Sequence, residues 1–385
     1  MNLPEEMNIL MLSKKDLESC DSMLAQGGIC VLRDESDYDS YFEDTMRAGH
    51  YENRKESVDI MIRSSRDVIN DLLNFGVRFA KNPDGSLAYT REGAHSRPRI
   101  CFHEDITGKE ITTTLLSHVK KCSNVTILEY TTMTDILVDD GKCTGMVAET
   151  KEGETLHIHA DNTIMATGGI GGLYEHSTNF PILTGDACRI AKEHGVELEH
   201  MDYVQIHPTC LYSKKPGRSF LISESARGEG AVLLNHKGER FVNELLPRDV
   251  VTKAIQEEMK KEGVEYEWIS FAHVPKEIIL KHFPHIYEKC LEEGYDLLKE
   301  PAPIVPAQHY FMGGVHVNRD SATTMPNLYA VGETSCNGVH GKNRLASNSL
   351  LESLVFAKRA AVKIQNEEKG NEDHEFESNY HAACC

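Results

Sequence analysis

A loop that contains glycine and arginine stands directly before a predicted helix near the end of the sequence. Residues 338–352 read GVHGKNRLASNSLLE, so Arg344 precedes Ser347 and Asn348 in the first helical turn. The free backbone N–H groups and the positive dipole at a helix N-terminus favour a group that carries or develops negative charge. An electron-rich ring would suit this position. On local grounds alone, a capped helix with an unrelated arginine is the commoner arrangement.

Three strand-to-glycine junctions could each hold part of a nucleotide. They are AQGG (25–28), ATGG (166–169) and LYAVGE (328–333). In doubly wound sheets, ligands bind beyond the carboxyl ends of the strands, where glycine lets the backbone approach closely. A single junction usually marks only a turn, but three in one chain favour a dinucleotide site.

The elements that must position these segments alternate between strands and helices. Hydrophobic periodicity predicts helices from Ser57 to a stop at Gly76, over 110–122 and over about 347–364. It predicts short strands at 8–13, 125–129, 135–138, 144–149, 162–166 and 327–331. Residues 201–311 interrupt the alternation, with weaker strand periodicity and many His, Arg and Pro residues. The pattern therefore predicts an α/β fold with a second, inserted domain.

Composition excludes several classes of protein. The 385 residues carry a formal charge of −19, which argues against binding to nucleic acid or to an anionic membrane. No apolar run approaches the ~18 residues of a membrane span. The N-terminus has acidic residues where a signal peptide needs basic ones. The 11 cysteines are scattered without metal-ligand spacing, so we expect reduced thiols, no metal site and a cytoplasmic protein.

Eight motifs occur in the order known from one family. They are AQGGI, TREGAHSR, MATGGIGGLY, QIHPTCLY, ISESARGEGA, LPRDVV, PAQHYFMGGV and GKNRLASNSLLES. Together they resemble the FAD-dependent succinate dehydrogenase/fumarate reductase flavoprotein family, from about Asn8 to Ile364. The resemblance implies a Rossmann-like FAD-binding domain at 1–200 and 312–365, lacking its first strand. It also implies an α+β capping domain at 201–311, and we expect a disordered tail at 366–385.

The cofactor site follows from the same resemblance. Covalent relatives attach FAD to a histidine five residues before the AQGG glutamine, and Asp21 stands at that position here. The resemblance therefore implies non-covalent FAD, in contact with Lys14, Ser22, Ala25, Gln26, Gly27, Gly28, Asp186, Glu333, Ser349 and Leu350.

The resemblance also implies a four-carbon dicarboxylate substrate. Arg248 resembles an arginine that exchanges a proton with the substrate. Glu92 stands where members that act on succinate or fumarate carry an uncharged residue, and a carboxylate there would pair with the α-ammonium of aspartate. The expected reaction is hydride transfer from Cα of aspartate to FAD, which yields iminoaspartate in the first step of NAD biosynthesis. The residues implied to hold the substrate carboxylates are His207, Ser223, His309 and Arg344.

Two alternatives stay open. The family begins with a strand and a G-x-G-x-x-G turn, and its aspartate-oxidising members end in a helical domain. The sequence matches neither, so we expect the 385-residue chain to bind FAD weakly. The alternatives are a fumarate reductase or succinate oxidase of the same fold, and an inactive remnant. The expected electron acceptor is oxygen or fumarate, and quinolinate synthase is the expected partner for product transfer.

Overall fold

The computed structural model describes residues 2–215 and 217–381, with side chains as far as residue 367. In those ranges the helices are α1 (Tyr38–Ala48), α2 (Lys55–Asn74), α3 (Thr107–Val119), α4 (Asp186–Glu193), α5 (Glu224–Gly228), α6 (Arg248–Glu262), α7 (Lys276–His282), α8 (Pro284–Glu292) and α9 (Ser349–His381). The strands are β1 (Ile9–Leu12), β2 (Ile29–Cys30), β3 (Ile100–Cys101), β4 (Val125–Leu128), β5 (Thr131–Asp139), β6 (Lys142–Thr150), β7 (Thr155–His159), β8 (Thr163–Met165), β9 (Leu198–Glu199), β10 (Val204–Leu211), β11 (Phe220–Leu221), β12 (Val232–Leu234), β13 (Glu267–Ser270), β14 (Ala302–Phe311), β15 (Gly314–His316), β16 (Leu328–Ala330) and β17 (Ser335–Cys336).

Two parallel strand pairs form where the sequence predicts strands, and one of them carries two of the three predicted glycine junctions; the remaining junction, at residues 25–28, precedes β2 and does not follow a strand. β1 pairs with β4, with Ile9 opposite Val125, and β8 pairs with β16, with Thr163 opposite Leu328. Strands flanked by helices in this parallel arrangement confirm the predicted α/β fold. The carboxyl ends of β8 and β16 run into the second and third glycine junctions, so the backbone there is free to approach a ligand.

Helices α2 and α9 pack against each other and against the β2–β3 pair. The apolar stripe predicted on α2 is confirmed, because its side chains are buried in one core with those of α9. The helix ends at Asn74, and Gly76 follows in the left-handed region with φ 91°. That conformation suits glycine and explains the stop. The buried stripe residues are Val58, Met61, Ile62, Ile69, Leu72, Leu351, Val355 and Phe356.

The inserted segment builds its own antiparallel sheet and its own core. The strand order is β11-β10-β14-β13-β12, and the buried apolar side chains of this core all lie between Leu211 and Ile304. We therefore propose the division at 201 and 311, and name residues 201–311 the capping domain and the rest the main domain. The strand signal was weak because β10 contains Pro208 and two register shifts, which break the alternation of side chains.

Strands β5, β6 and β7 form an antiparallel meander. A hairpin turn at residues 139–142 joins the strands predicted at 135–138 and 144–149, with Asp140 and Gly141 both at positive φ, as a two-residue turn between twisted strands requires. The third strand, β7, was not predicted. It carries His157 and His159, and no cluster of His, Cys, Asp or Glu in the described residues could hold a metal ion.

The end of the chain differs from the sequence prediction. We expected disorder from residue 366, but α9 continues to His381; residues 382–385 lie outside the described ranges. A polar composition does not by itself prevent helix formation, because pairs spaced four residues apart add support. Lys363 and Glu367 form such a pair at 2.9 Å, and Glu367 also accepts a hydrogen bond from Tyr329 at 2.8 Å.

Candidate functional site

A cavity of about 1880 Å³ lies between the main domain and the capping domain. Its walls include the ends of β1 and β8, the loop after β16 and the first turn of α9. The capping domain contributes the segment before α5, the first residue of α6 and the end of β14. Of the sixteen site residues predicted from the sequence, all but His207 line this cavity. None of the described helices has the length and apolar content needed to span a bilayer.

Two glycines let polar side chains come close to the backbone on the main-domain wall. A Cβ atom on Gly27 would lie 2.2 Å from Oε1 of Glu92, and one on Gly169 would lie 2.3 Å from Oε1 of Glu333. No larger residue fits at either place without movement. Nearby, Oε1 of Gln26 and Oδ2 of Asp21 are buried, and neither has a hydrogen-bond partner within residues 2–215 and 217–367. A wide cavity edged by glycine and by unpaired polar atoms fits a dinucleotide cofactor such as FAD.

Lys14 joins the end of β1 to the start of α4. Its Nζ donates hydrogen bonds to the carbonyl of Ile182 at 2.9 Å, to Oγ1 of Thr184 at 2.9 Å and to Oδ2 of Asp186 at 2.7 Å. An ammonium group has three donors, and protein atoms use all of them here. Lys14 therefore fixes the position of Asp186 at the cavity wall.

Asp21 and Glu333 form an acidic end of the cavity. Asp21 accepts a hydrogen bond from the backbone of Phe180 at 3.0 Å, and Glu333 accepts one from Phe311 at 2.9 Å. Burial raises the pKa of Asp21 to about 7, and burial together with the charge of Asp21 raises the pKa of Glu333 to about 8. Near neutral pH these carboxyl groups can therefore donate hydrogen bonds as well as accept them.

Arg344 is held on several sides in a second, cationic part of the cavity, which we call the cationic end. Its Nη1 donates to Oγ of Ser349 at 2.9 Å, its Nη2 donates to Nε2 of His309 at 3.1 Å, and its guanidinium lies 4.5 Å from the ring centre of Tyr310. Burial and the charge of Arg248 lower the pKa of Arg344 to about 10. Its Nε is buried and has no hydrogen-bond partner among the residues that the structure describes.

The contacts of the two predicted histidines determine which ring nitrogen carries the proton. An arginine can only donate, so Nε2 of His309 accepts from Arg344 and Nδ1 donates to Oγ1 of Thr178 at 2.7 Å. In His207, Nδ1 accepts the backbone N–H of Thr209 at 3.2 Å, which leaves the proton on Nε2. Burial, followed by the charge of Arg248, lowers the pKa of both rings well below the usual range.

His207 is the one predicted residue that does not reach the cavity. Its side chain is fully buried behind the wall, and its ring meets that of His309 edge to face, with ring centres 5.1 Å apart. Nε2 of His207 has no partner in the protein. His207 thus offers an unused donor one layer behind the cavity surface.

Arg248 belongs to a buried charge network that the sequence reasoning did not identify. Its Nε donates to Oε2 of Glu224 at 2.5 Å, and its Nη1 donates to Oε1 of Gln205 at 2.9 Å. Nη2 of Arg227 lies 3.6 Å from the same Glu224 oxygen. Burial alone would raise the pKa of Glu224, but Arg248 and Arg227 outweigh it and hold the pKa below its usual value.

The sequence did not lead us to predict Glu224 and Gln205 as site residues, although both lie inside family motifs. Gln205 precedes His207 in QIHPTCLY, and Glu224 follows Ser223 in ISESARGEGA. The sequence signal that could have identified Glu224 is its acidic side chain in a segment that is otherwise predicted to be buried. Such a residue needs a charged partner, and Arg248 is the partner that the fold supplies.

Glu92 sits on the cavity wall between hydroxyl groups of both domains. Its Oε1 accepts a hydrogen bond from Ser225 at 2.7 Å, and its Oε2 accepts one from Ser347 at 2.5 Å. The side chain is 2% exposed. Burial, together with the negative charge of Glu224, raises its pKa. A cationic ligand group at this wall would restore the ionised form of Glu92.

Known proteins match this chain over most of its length. A family model described as "FAD binding domain" matches residues 4–350. An L-aspartate oxidase of Clostridium perfringens (strain 13 / Type A) is 51% identical over 367 residues, which cover 95% of this chain and 83% of that relative. An L-aspartate oxidase of Acinetobacter baylyi is 40% identical, and the match covers 95% of this chain and 70% of that relative.

Two solved structures of fumarate reductases share the fold of this chain. A chain of E. coli quinol fumarate reductase has a TM-score of 0.86 at 32% identity, over 92% of this chain and 65% of that chain. This chain thus spans just under two thirds of that protein. A flavocytochrome c3 fumarate reductase in an open conformation has a TM-score of 0.69 at 24% identity, over 92% of this chain and 77% of that chain, which supports the fold alone.

Proposed function

The chain belongs to the L-aspartate oxidase family of FAD-binding flavoproteins, and from this membership we propose that it uses non-covalently bound FAD to oxidise L-aspartate to iminoaspartate. The observation that carries the proposal is that side chains of opposite charge line the same cavity. Arg248 and Arg344 offer cations for two carboxylates, and Glu92 offers an anion for an ammonium. Aspartate carries this combination of charges, whereas succinate lacks the ammonium.

The cationic end binds the carboxylates. Arg344 has an Nε donor without a partner in the described part of the chain, and a carboxylate in contact with it would also relieve the repulsion between Arg344 and Arg248. The Ser223 hydroxyl accepts the backbone N–H of Ser225 at 3.2 Å and donates to Oγ of Ser225 at 3.2 Å, so its proton would have to rotate from Ser225 to reach a substrate oxygen. His309 fixes Arg344 in place, and His207 supports His309 from behind. Four-carbon dicarboxylates are thereby selected over monocarboxylates.

Two buried groups handle protons. Glu92 holds the α-ammonium and, because its pKa is raised, is a stronger base than an exposed glutamate. The bound FAD supplies the two-electron acceptor for the hydride that leaves Cα. In the reduction of fumarate, for which reduced FAD would supply the hydride, Arg248 would donate the proton that completes succinate, and Glu224, which accepts a hydrogen bond from Nε of Arg248, would hold the guanidinium in position.

The cofactor contacts stay those predicted from the sequence. The main-domain wall from Lys14 to Gly28, together with Asp186, Glu333, Ser349 and Leu350, would hold FAD. We place the enzyme in the cytoplasm, in the first step of NAD biosynthesis, with oxygen or fumarate as acceptor. Quinolinate synthase is the proposed recipient of the unstable imine.

A fumarate reductase or succinate oxidase is the second candidate, because solved fumarate reductases share the fold. The two are separated by adding L-aspartate or succinate, without oxygen, to the chain reconstituted with FAD and recording the flavin absorbance. We expect bleaching with aspartate only. In Glu92→Gln, bleaching by aspartate should slow about a hundredfold. Glu175→Gln, which changes an exposed glutamate, is the matched control.

Each result of this experiment has a defined meaning. Bleaching by succinate at the rate seen with aspartate would favour the second candidate. Full aspartate turnover by Glu92→Gln would remove Glu92 from the proposed site. A chain that takes up FAD and bleaches with neither compound would be the inactive remnant.

A further inference from the structure

Ser347 adopts a backbone conformation that serine normally avoids. Its φ is 62°, in the left-handed region, and it immediately precedes the residues that begin α9. An L-residue with a Cβ atom pays a steric cost there that glycine does not pay. A non-glycine residue held in this region at a ligand-binding wall indicates that its side chain has a role.

The backbone contacts of Ser347 do not require serine. Its carbonyl accepts the N–H of Cys30 at 3.0 Å, and a glycine could make the same bond. The hydroxyl is different, because Oγ donates to Oε2 of Glu92 at 2.5 Å. Ser347 is 7% exposed and Glu92 is 2% exposed, so water cannot easily replace this donor. The hydroxyl is therefore the feature that the strained backbone positions.

Ser225 holds the other oxygen of the same carboxylate from the capping domain. Its Oγ donates to Oε1 of Glu92 at 2.7 Å and lies 3.2 Å from the hydroxyl of Ser223. A third constraint comes from Gly27, where even a methyl group would overlap Oε1 of Glu92. The carboxylate plane is thus fixed on three sides by groups from separate parts of the chain.

We propose that Ser347 and Ser225 are positioning residues that orient Glu92 and so determine the preference for aspartate over dicarboxylates without an amine. This inference rests on the proposed function. Hydroxyl donors at both oxygens favour the ionised carboxylate that an ammonium requires, and they offset burial and the neighbouring charge of Glu224. Neither serine needs to touch the substrate for this effect.

The test measures ligand affinity without turnover. The FAD-reconstituted chain is reduced chemically, so that aspartate binds but is not oxidised, and the dissociation constants of L-aspartate and succinate are measured across a range of pH. In Ser347→Gly, which keeps the backbone and removes the hydroxyl, we expect aspartate to bind about tenfold more weakly while succinate affinity stays within about twofold. The pH midpoint for aspartate binding should move upward by about one unit.

A matched control is available in the same fold. Ser321 is also buried at positive φ, 63°, but its hydroxyl donates to the carbonyl of Phe356, away from Glu92. Ser321→Gly should leave both dissociation constants and the pH midpoint unchanged. Ser225→Ala removes the hydroxyl on the opposite side and should reproduce the Ser347→Gly result, which covers the case in which Ser347→Gly does not fold.

The outcomes separate this inference from the proposed function. If wild-type flavin is not bleached by aspartate, the proposed function fails. If it is bleached, and Ser347→Gly or Ser225→Ala keeps the wild-type ratio of aspartate to succinate affinity at every pH, the positioning role is overturned. Equal weakening of both ligands would also overturn it, because that result describes a general structural defect.

Discussion

The acidic and cationic ends of the cavity carry opposite charges, and the protein neutralises each end only in part: Glu224 is hydrogen-bonded to Arg248 at one, and the charge of Arg218 acts on Asp21 at the other. At the acidic end, burial raises the pKa of Asp21 to about 7 and the pKa of Glu333 to about 8. At the cationic end, burial and a neighbouring guanidinium lower the pKa of Arg344 to about 10 and keep His309 neutral. Near neutral pH the carboxyl groups therefore take up protons in part, whereas Arg344 stays protonated.

The difference indicates what each end accepts. Arginine cannot lose its proton near neutral pH, so the cationic end keeps two guanidinium charges; Glu224 is hydrogen-bonded to that of Arg248, and an anionic ligand would offset that of Arg344. Carboxyl groups can take up a proton, and the acidic end becomes a set of neutral donors suited to hydroxyl and carbonyl oxygens. A protein of charge −19 thus confines its attraction for a dianion to one end of one cavity.

Arg344→Lys tests the cationic end most severely. Lysine keeps the charge but cannot bond Ser349 and His309 together, stack on Tyr310 and still present a donor to the substrate. We expect kcat/KM for aspartate to fall about a thousandfold, which corresponds to about 4 kcal/mol. Lys342→Gln, two residues earlier and exposed, should change it less than about twofold. A loss under about tenfold would show that charge alone suffices at this end.

Glu224→Gln removes the one internal anion that faces Arg248. The amide can still accept the Arg248 hydrogen bond, so the expected change is mainly electrostatic. With its counter-charge gone, the cationic end should bind the substrate at least as tightly, whereas kcat falls about a hundredfold because the proton-handling network is broken. Steady-state kinetics give the two constants separately.

The control for these separate effects on kcat and KM is a glutamate five residues further along the chain. Glu229 pairs with His282 at 3.3 Å outside the network, and Glu229→Gln should leave both constants within about twofold. A rise in KM without a fall in kcat after Glu224→Gln would contradict the assignment of Glu224 to proton handling.

Glu333→Gln tests the acidic end through stability. In the unfolded chain a glutamate titrates near 4.5, and in the fold burial and Asp21 raise the pKa of Glu333 to about 8. Between these values the unfolded state releases its proton first, so the free energy of unfolding falls as pH rises. The slope from this group is at most about 1.4 kcal/mol per pH unit, reduced by solvent at the cavity wall.

Urea unfolding of the flavin-free chain between about pH 5 and about pH 8 measures this slope. Glu333→Gln should flatten it, and Glu197→Gln, at an exposed glutamate, should not. A slope of the opposite sign in the wild type, lost in Glu333→Gln, would mean that Glu333 is ionised in the fold.

The sequence predicted which residues face the cavity better than what each of them contacts. Motif position identified Arg344 and Glu92, and glycine junctions identified the approach of backbone to ligand. The Glu224 network was missed because Arg248 follows it by 24 residues and meets it only through the packing of α6 on β10. The strain at Ser347 was equally hidden, because φ depends on how α9 enters the core.

The strand content of the capping domain was hidden for a related reason. β10 carries a proline and two irregularities, so its alternation does not repeat, and its partner β14 lies about a hundred residues later in the chain. Hydrophobic periodicity within a short segment gives no information on the pairing of two strands so far apart in the sequence. The helix α9, by contrast, was predicted from its apolar stripe, and only its length was underestimated.

Thr178 offers the finest test of the cationic end. Its hydroxyl accepts from Nδ1 of His309, and this contact keeps the Nε2 lone pair directed at Arg344. Thr178→Val leaves that N–H without an acceptor, which costs about 1 kcal/mol, so KM for aspartate should rise about fivefold with kcat nearly constant. Thr178→Ser restores the hydroxyl and should restore KM. If Val and Ser variants behave alike, packing rather than the hydrogen bond holds His309, and Arg344 is oriented by Ser349 and Tyr310 alone.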